Sequence, residues 1–471
     1  MSYDLVIRNA RCATASDVFD ADIGIIDGRI VALGAQLAAG KTEIDAAGCY
    51  VLPGGVDGHC HLDQPMNDGS KMADDFETGT RSAACGGTTT VIPFACQIKG
   101  DTLRAAVEDY HRRAEGKATI DYAFHLIVSD PTQAVLEEEL PALIREGYTS
   151  FKIYMTYDDL KLDDRQILDV LSVARAEGAM VMVHAENTDC IAWLTERLVK
   201  AGNTAPRFHA DSRPMLVERE ATHRAIALAE LVDVPILIVH VSGREAVEQI
   251  RWAQSLGLQI HAETCPQYLF LTSSNLDATE HDGLHGAKCI CSPPPRDKAN
   301  QEVIWQALAG GVFRVFSSDH APFRYEGTDG KKVGGCHASF AEIPNGIPGL
   351  ETRLPLLFSA GVLDGRIDIN QFVALTSTNA AKTYGLYPRK GTIAVGADAD
   401  LVIWDTQTPR TIRNADLHHD VDYTPYEGIA VRAWPAITLS RGEVVWRDGE
   451  YLGKPGMGRF LPCDKPWAGP R

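Results

Sequence analysis

The chain has 471 residues, of which 45 are basic and 63 acidic, so its formal net charge is −18. This excess of negative charge argues against a nucleic-acid-binding surface and against adhesion to anionic membranes, and leaves small neutral substrates open. The charged residues between Asp4 and Asp20 do not resemble a signal peptide, and no apolar run approaches about twenty residues. We therefore expect a soluble cytoplasmic protein whose 11 cysteines are reduced.

Both ends of the chain carry short β-strand patterns. Near the start, the apolar runs 22–26 and 29–33 flank Asp27-Gly28, a pair that favours a hairpin because the turn needs positive φ. Near the end, short apolar runs with glycine or Asp-Gly turns repeat this pattern. Neither set has enough strands to bury a sheet face alone, so we predict that 1–52 and 390–455 share one small β domain.

The middle of the chain alternates short β-branched runs with helical patterns, which implies a parallel sheet with right-handed crossovers. A doubly wound open sheet fits less well, because no glycine-rich phosphate loop follows an early strand. Eight runs predict a (β/α)8 TIM-like barrel over 53–389. The runs lie near 51–52 and at 88–94, 121–128, 150–157, 180–184, 235–241, 259–263 and 314–318. The helical patterns lie at 103–115, 164–177, 218–231, 243–255 and 300–308.

His59 and His61 end an extended segment, where side chains repeat with period two and so point the same way. Such a pair is a ready chelate for a metal ion, although two polar residues at a strand end can also be satisfied by hydrogen bonds alone. A catalytic metal site needs further ligands. In a barrel those ligands belong at the carboxyl ends of the other strands.

Three later runs place metal-binding residue types at that same end of the predicted barrel. His184 ends the fifth run, His240 the sixth, and Asp319 follows the eighth. Any one of them can be a hydrogen-bonded core residue. Together with His59 and His61 they favour a metal centre.

Lys152 lies inside the apolar fourth run, where a charged ammonium is costly without a partner. One interpretation is a buried lysine–carboxylate pair. The other is a neutral lysine that has taken up carbon dioxide, since the two oxygens of the resulting carbamate can bridge two cations.

The ordered motifs resemble the cyclic amidohydrolases, and most closely the hydantoinase/dihydropyrimidinase family, from residue 3 to about 450. The motifs that carry the ligand candidates are His59-x-His61, Phe151-Lys152, His184-Ala185-Glu186-Asn187, His240-Val241 and Ser318-Asp319-His320. Further matching segments are Ala73-Asp74-Asp75-Phe76, Gly86-Gly87-Thr88-Thr89, Glu263-Thr264-Cys265-Pro266-Gln267-Tyr268, Ser292-Pro293-Pro294-Pro295-Arg296 and Ile343-Pro344-Asn345-Gly346.

The resemblance implies a distorted barrel, a β-sandwich-like domain built from both termini, and a binuclear zinc centre. It implies that His59, His61 and Asp319 hold one metal, that His184 and His240 hold the other, and that N6-carboxylated Lys152 bridges them. It also implies a homotetramer. The glycine- and proline-rich tail, 456–471, is then a candidate arm across a subunit boundary, since unsupported termini are otherwise disordered.

The same resemblance implies hydrolysis of the ring amide of dihydropyrimidines or 5-substituted hydantoins to N-carbamoyl amino acids. Asp319 would act as general base and then general acid, and Tyr157 would stabilise the oxyanion. Ser292 and Asn345 would bind the –CO–NH– groups of the ring. The residues expected to border the pocket for the exocyclic group are Leu62, Gln64, Met66 and Phe94, with the loop 157–161.

Three alternatives are considered. A dihydroorotase would carry an arginine two positions after the second histidine, where this chain has Asp63. An allantoinase shares the metal pattern and differs mainly in its substrate contacts. A metal-free scaffold relative of dihydropyrimidinase would have lost metal ligands, whereas all six ligand positions are intact here.

Overall fold

The computed structural model describes residues 2–66, 70–278, 283–335 and 338–467. Two nine-stranded sheets dominate it. The strands are β1 (Tyr3–Ala13), β2 (Val18–Ile26), β3 (Arg29–Gly34), β4 (Gly40–Asp45), β5 (Tyr50–Pro53), β6 (Gly55–Cys60), β7 (Thr88–Cys96), β8 (Asp121–Tyr122), β9 (His125–Ile127), β10 (Ser150–Tyr154), β11 (Met180–His184), β12 (Ile236–Ile238), β13 (Ile260–Thr264), β14 (Val315–Phe316), β15 (Leu401–Asp405), β16 (Arg410–Thr411), β17 (Ala430–Val431), β18 (Trp434–Ser440), β19 (Glu443–Arg447) and β20 (Glu450–Tyr451).

Helices connect the strands of the barrel. The α-helices are α1 (Phe76–Cys85), α2 (Leu103–Ala114), α3 (Leu140–Arg145), α4 (Asp164–Glu177), α5 (Thr188–Lys200), α6 (Phe208–Ser212), α7 (Met215–Val232), α8 (Arg244–Ser255), α9 (Pro266–Phe270), α10 (Lys298–Ala309), α11 (Arg353–Leu357), α12 (Ile369–Val373) and α13 (Asn379–Thr383). The predicted helical patterns coincide with α2, α4, α7, α8 and α10 within a few residues at each end. Helix α5 was missed, because its buried face is narrow and Ile191 is its only buried residue.

The terminal sheet has the order β20-β19-β18-β15-β5-β1-β2-β3, with β4 added beside β1. Strand β5 from the start of the chain pairs antiparallel with β15 from the end, so the two terminal strand sets form one mixed sheet, as predicted. Asp27 and Gly28 both have positive φ, 51° and 73°, as a tight hairpin turn requires. The domain limits 1–52 with 390–455 and 53–389 stay a prediction.

The second sheet is the parallel barrel, in the order β14-β13-β12-β11-β10-β9-β7-β6, with β8 beside β7. A bridge between Cys60 and His320, with the His61 amide donating to the His320 carbonyl at 2.7 Å, nearly closes the ring. This confirms the predicted TIM-like fold. The carboxyl ends of all the barrel strands therefore lie at the same end of the barrel.

One predicted strand was misplaced. The run near 51–52 is β5 in the terminal sheet, and the first barrel strand is β6, Gly55–Cys60. Glycines lower the strand propensity of this segment, but close packing requires them. A Cβ atom on Gly58 would lie 2.2 Å from Cε2 of Tyr384. Sequence pattern alone could not weigh that contact.

The tail was expected to form an arm across a subunit boundary, and that role stays a prediction. From 453 to 467 it packs on the chain's own barrel, at the amino-terminal ends of the strands, and the last residues, 468–471, lie outside the described part. Leu461 is fully buried and donates its amide to the Tyr122 carbonyl at 2.7 Å, and the Cys463 amide donates to Gly147 at 2.9 Å. These backbone bonds explain why the glycine- and proline-rich segment is ordered.

Ten cysteines lie in the described ranges, and all are free thiols. Within those ranges no helix combines the length and apolar character needed to span a membrane.

A buried ion cluster joins the barrel to the terminal sheet. Lys390, 1 % exposed, places its ammonium 2.7 Å from Asp121 of β8, 3.0 Å from Asp398 and 2.6 Å from Asp400, which precedes β15. Burial lowers the pKa of Lys390, but the three carboxylates outweigh burial and raise it above its ordinary value. The cation therefore compensates carboxylates from both sheets.

We predict that Lys390→Met destabilises the protein by about 3–5 kcal/mol, because it leaves buried carboxylates without their cation. Denaturant unfolding followed by circular dichroism and tryptophan fluorescence measures the loss. Lys200→Met, at an exposed position on α5, is the matched control. Equal unfolding midpoints for the two variants would contradict a stabilising role for the cluster.

Candidate metal centre

The six predicted ligands converge at the carboxyl end of the barrel. His59 and His61 lie at the end of β6, Lys152 within β10, and His184 at the end of β11. His240 follows β12 by two residues, and Asp319 follows β14 by three. Each is at most 8 % exposed. Barrel topology therefore brings together residues that are up to 260 positions apart, from His59 to Asp319.

One group of ligand atoms comes from His59, His61 and Asp319, and lies within a sphere that fits a single cation. Asp319 Oδ1 is 3.1 Å from Nε2 of His59 and 3.6 Å from Nε2 of His61. The three ligand atoms all lie within 4.8 Å of one another. Two imidazoles and a carboxylate form a donor set suited to a divalent transition-metal ion.

A second group lies beside the first. Nδ1 of His184 is 2.9 Å from Nε2 of His240, and the ring centroids of His59 and His240 are 5.3 Å apart. Lys152 connects the groups, because its Nζ is 2.8 Å from Nε2 of His59. Among the described residues no carboxylate lies within ion-pair distance of Lys152. This part of the structure therefore does not support a buried lysine–carboxylate pair.

Three histidines are oriented through the nitrogen that points away from the cluster. Nδ1 of His59 lies 2.6 Å from Glu263, Nδ1 of His61 lies 2.7 Å from Gln64, and Nε2 of His184 lies 2.8 Å from Glu186. Such outer partners fix the ring orientation and tautomer of a histidine ligand. The inward nitrogen of each ring is then left with its lone pair facing the cluster.

The electrostatics of the cluster favour an ionised aspartate and neutral rings. Burial opposes ionisation of Asp319, but the charge and hydrogen bonds of His59, with a hydrogen bond to His61, hold its pKa well below the ordinary value. Burial lowers the pKa of His61 to about 4, and burial also lowers the pKa values of His184 and His240. His59 is the exception: Glu263 and Asp319 outweigh burial and raise its pKa.

Burial lowers the pKa of Lys152 to about 8, against the opposing influence of Asp319 and Glu263. Its ammonium lies over the ring of Phe94, 4.6 Å from the centroid, rather than beside a counter-ion. A larger fraction of this lysine is therefore neutral near neutral pH than of an exposed lysine.

A cavity of about 370 Å³ opens above the cluster and is lined by His61, Lys152, His184, His240 and Asp319. The predicted substrate-binding residues Tyr157, Ser292 and Asn345 also line it. Oδ1 of Asn345 is buried and has no hydrogen-bond partner in the described part of the chain, and Oγ of Ser292 is buried beside the Tyr157 hydroxyl. Unpaired buried acceptors and donors are costly, so these two groups are available to a polar ligand.

The structure places only some of the residues predicted to border the pocket at this cavity. Gln64, Met66 and residues 157–160 line the cavity, but Leu62, Phe94 and Lys161 do not. Leu62 is fully buried against α1, where a Cβ on Gly79 would lie 2.3 Å from its Cδ2. The chain turns at Asp63, whose φ of 49° directs Leu62 inward and Gln64 toward the cavity.

Phe94 lies below the cluster, with its ring 5.1 Å from that of His59 and 5.0 Å from that of His61. It supports the histidines rather than bordering an exocyclic pocket. Lys161 instead pairs with Asp158 at 2.5 Å.

Several lining residues were not predicted. Met72 comes from the segment after β6, and Phe323 and Ile343 come from the segment after β14. Ile343 was quoted within a motif but given no role, and no periodic pattern marks Met72 or Phe323 as cavity residues. Glu186 and Glu263 were quoted within motifs but given no role. The sequence did indicate them, because a carboxylate at the end of an apolar strand, like the charged Lys152, is costly to bury without a partner.

The chain is similar to known proteins over nearly its whole length. The amidohydrolase family model matches residues 50–445. A D-hydantoinase from Geobacillus stearothermophilus is 48% identical over 459 residues, covering 97% of this chain and 96% of that protein. A D-hydantoinase from Ralstonia pickettii is 44% identical over 459 residues, covering 97% and 98%. The crystal structure of a dihydropyrimidinase from Brevibacillus agri has a TM-score of 0.94 and 45% identity, covering 98% of this chain and 99% of that one.

These matches extend through both the barrel and the terminal sheet, and they confirm the resemblance drawn from the motifs. The allantoinase alternative is not favoured. The chain therefore belongs to the amidohydrolase family, in its hydantoinase/dihydropyrimidinase group of cyclic amidohydrolases.

Proposed function

We propose that this protein hydrolyses the ring amide of 5-substituted hydantoins of D configuration, and of dihydropyrimidines, to N-carbamoyl amino acids. The observation that carries the proposal is the buried group of four histidines, a lysine and an aspartate facing a cavity of about 370 Å³. The names of the relatives support the substrate class, because D-hydantoinases are 44% and 48% identical to this chain.

We propose two divalent cations, zinc in the first instance. His59, His61 and Asp319 would hold one, and His184 and His240 the other. When bound, such cations polarise an amide carbonyl and make water a stronger acid. The donor set fits them, since the imidazole nitrogens that face the cluster are free of outer partners and burial keeps three of the four rings neutral.

We propose that Lys152 carries a carbamate, whose oxygens would help to hold both cations. The neutral amine attacks carbon dioxide, a C–N bond forms, and one proton leaves the nitrogen. The lowered pKa of about 8 supports this step, because only the unprotonated amine reacts. The lack of a carboxylate partner in the described part of the chain supports it too, since a permanent ammonium there would be uncompensated.

The chain's own residues then perform the proton transfers. Asp319, held ionised, accepts a proton from the attacking water as its oxygen bonds to the carbonyl carbon. The ring C–N bond breaks, and Asp319 returns the proton to the departing nitrogen. Burial raises the pKa of Tyr157 to about 12, so its hydroxyl stays protonated and donates a hydrogen bond to the developing oxyanion.

Ser292 and Asn345 would pair with the –CO–NH– edges of the ring. An unmet buried polar group costs about 1–3 kcal/mol, which is enough to select a cyclic imide over an apolar ring of the same size. The exocyclic group would meet Met66, Met72 and Phe323, whose apolar side chains line the cavity beside Gln64.

A substrate panel tests the function. Zinc-loaded protein is expected to hydrolyse D-5-substituted hydantoins and dihydrouracil, to act more slowly on L-5-substituted hydantoins, and to leave allantoin intact. Product formation is measured as the N-carbamoyl amino acid. Turnover of allantoin alone would favour an allantoinase, and a metal-loaded protein inactive on every compound would favour a scaffold protein.

Asp319→Asn should lower kcat by about a hundredfold to ten-thousandfold, because it removes the proton acceptor and leaves an oxygen that can still ligate metal. Steady-state kinetics and metal analysis are measured on the same preparation. A variant that retains both metal and full activity would show that Asp319 is not the base.

Lys152→Ala should fold normally but bind at most about half of the wild-type metal and lose activity, since the bridging oxygens are gone. The space left by the side chain is polar and connected to the cavity, so added short carboxylic acids with excess zinc should restore part of the activity. Circular dichroism, metal content and rate are measured together. Full metal content and full activity in the folded variant would exclude the carbamate bridge.

A further inference from the structure

A buried lysine outside the ligand cluster connects two loops that face the cavity. Lys331 is fully buried, and its Nζ donates to the Ile290 carbonyl at 2.8 Å and to the Pro344 carbonyl at 2.6 Å. Ile290 lies two residues before Ser292, and Pro344 directly precedes Asn345. One side chain therefore bridges the backbone segments that carry Ser292 and Asn345, the two polar residues proposed to bind the substrate ring.

The position is an expensive one for a lysine. In the described ranges no carboxylate lies within ion-pair distance of its Nζ, and its other close neighbour is the Phe323 ring, 5.8 Å away. Burial lowers the pKa of Lys331 to about 7. A methionine of similar length would fill the same space without desolvation of an amine. The N–H donors are what distinguish lysine here, and both the ammonium and the neutral amine have at least two.

The bridged loops also contact the segment that carries Asp319. The Gly346 amide donates to the Ile290 carbonyl at 3.1 Å, and a Cβ on Gly346 would lie 2.4 Å from Cβ of Ala321. The Ala321 amide donates to the Ile347 carbonyl at 3.0 Å. These contacts hold the loop of Pro344 and Asn345 against the loop of Ser292 and against the segment that follows Asp319.

We propose that Lys331 is a positioning residue that sets the separation of Ser292 and Asn345 across the cavity. The inference rests on the proposed function, in which those two residues bind the edges of the substrate ring. Lys331 does not line the cavity, so it acts through the carbonyls of Ile290 and Pro344 and not through contact with the substrate.

Lys331→Met should raise KM about tenfold and change kcat by less than about threefold, because ring-edge contacts are weakened equally in the ground state and the transition state. Metal content should stay at the wild-type level. Lys332→Met is the matched control, since the neighbouring ammonium pairs with Glu326 at 2.6 Å, and its KM should not change. A folded Lys331→Met variant with wild-type KM would overturn the proposal.

A double-mutant cycle separates positioning from a general structural role. If Lys331 acts through Asn345, the effect of Lys331→Met on KM should largely disappear in an Asn345→Ala background. Fully additive effects would overturn the proposal. Lys331→Gln, which keeps an amide donor on a shorter side chain, should give an intermediate KM and replaces the methionine variant if that one does not fold.

Amide hydrogen exchange tests the bridge without any substrate. Exchange in peptides covering 287–293 and 343–347 should accelerate in Lys331→Met and stay unchanged in Lys332→Met. Unchanged exchange in both would overturn the proposal even if the enzyme is active. Wild-type protein that is inactive on every cyclic amide, with accelerated exchange in the variant, would instead reject the proposed substrate and leave the bridge intact.

Discussion

The candidate metal centre depends on one buried carboxylate that is not itself a predicted ligand. Glu263 of β13 accepts from Nδ1 of His59 at 2.6 Å and from the backbone amide of His240 at 3.1 Å, both through Oε1. It therefore links β6, β12 and β13 at the mouth of the barrel and joins the two ligand groups. All three residues are buried, so loss of these hydrogen bonds would leave charged or polar groups unpaired. Unpaired groups are costly in a low-dielectric interior.

The buried pair Asp57 and Arg353 links the backbone segments that carry the ligands. Oδ1 of Asp57 accepts from the amides of His59 at 3.1 Å and Ser318 at 3.3 Å, while its Oδ2 lies 3.4 Å from Nε of Arg353. The segments of His59 and Asp319 are thus held in register by one side chain. Rigid support of this kind keeps ligand atoms in place before any cation binds.

Sequence reasoning succeeded where the physical signal was local. Strand ends could be located from β-branched runs, and a barrel sends all such ends to one mouth, so His184, His240 and Asp319 could be grouped with the first two histidines. It placed the first barrel run several residues too early, near 51–52, because the glycines of β6, among them Gly58 in contact with Tyr384, weaken the strand pattern there. It also failed for Leu62, because the positive φ of Asp63 reverses the chain in a way that no periodicity reveals. The role of Lys331 could not be predicted for a third reason. Its partners are backbone carbonyls, and because every residue has one, the sequence gives no sign of which carbonyls it binds.

The terminal sheet combines strands from both ends of this sequence, and this limits the order in which the sheet can form. Strands β1 and β5 precede the barrel in the sequence, but β5 pairs with β15, which is made about 350 residues later. The amino-terminal end of the barrel is covered by Leu461 and Cys463, which follow every barrel strand in the sequence. The terminal sheet therefore cannot be completed before β15 has been made, so its first strands keep an unpaired edge while the barrel strands are synthesised.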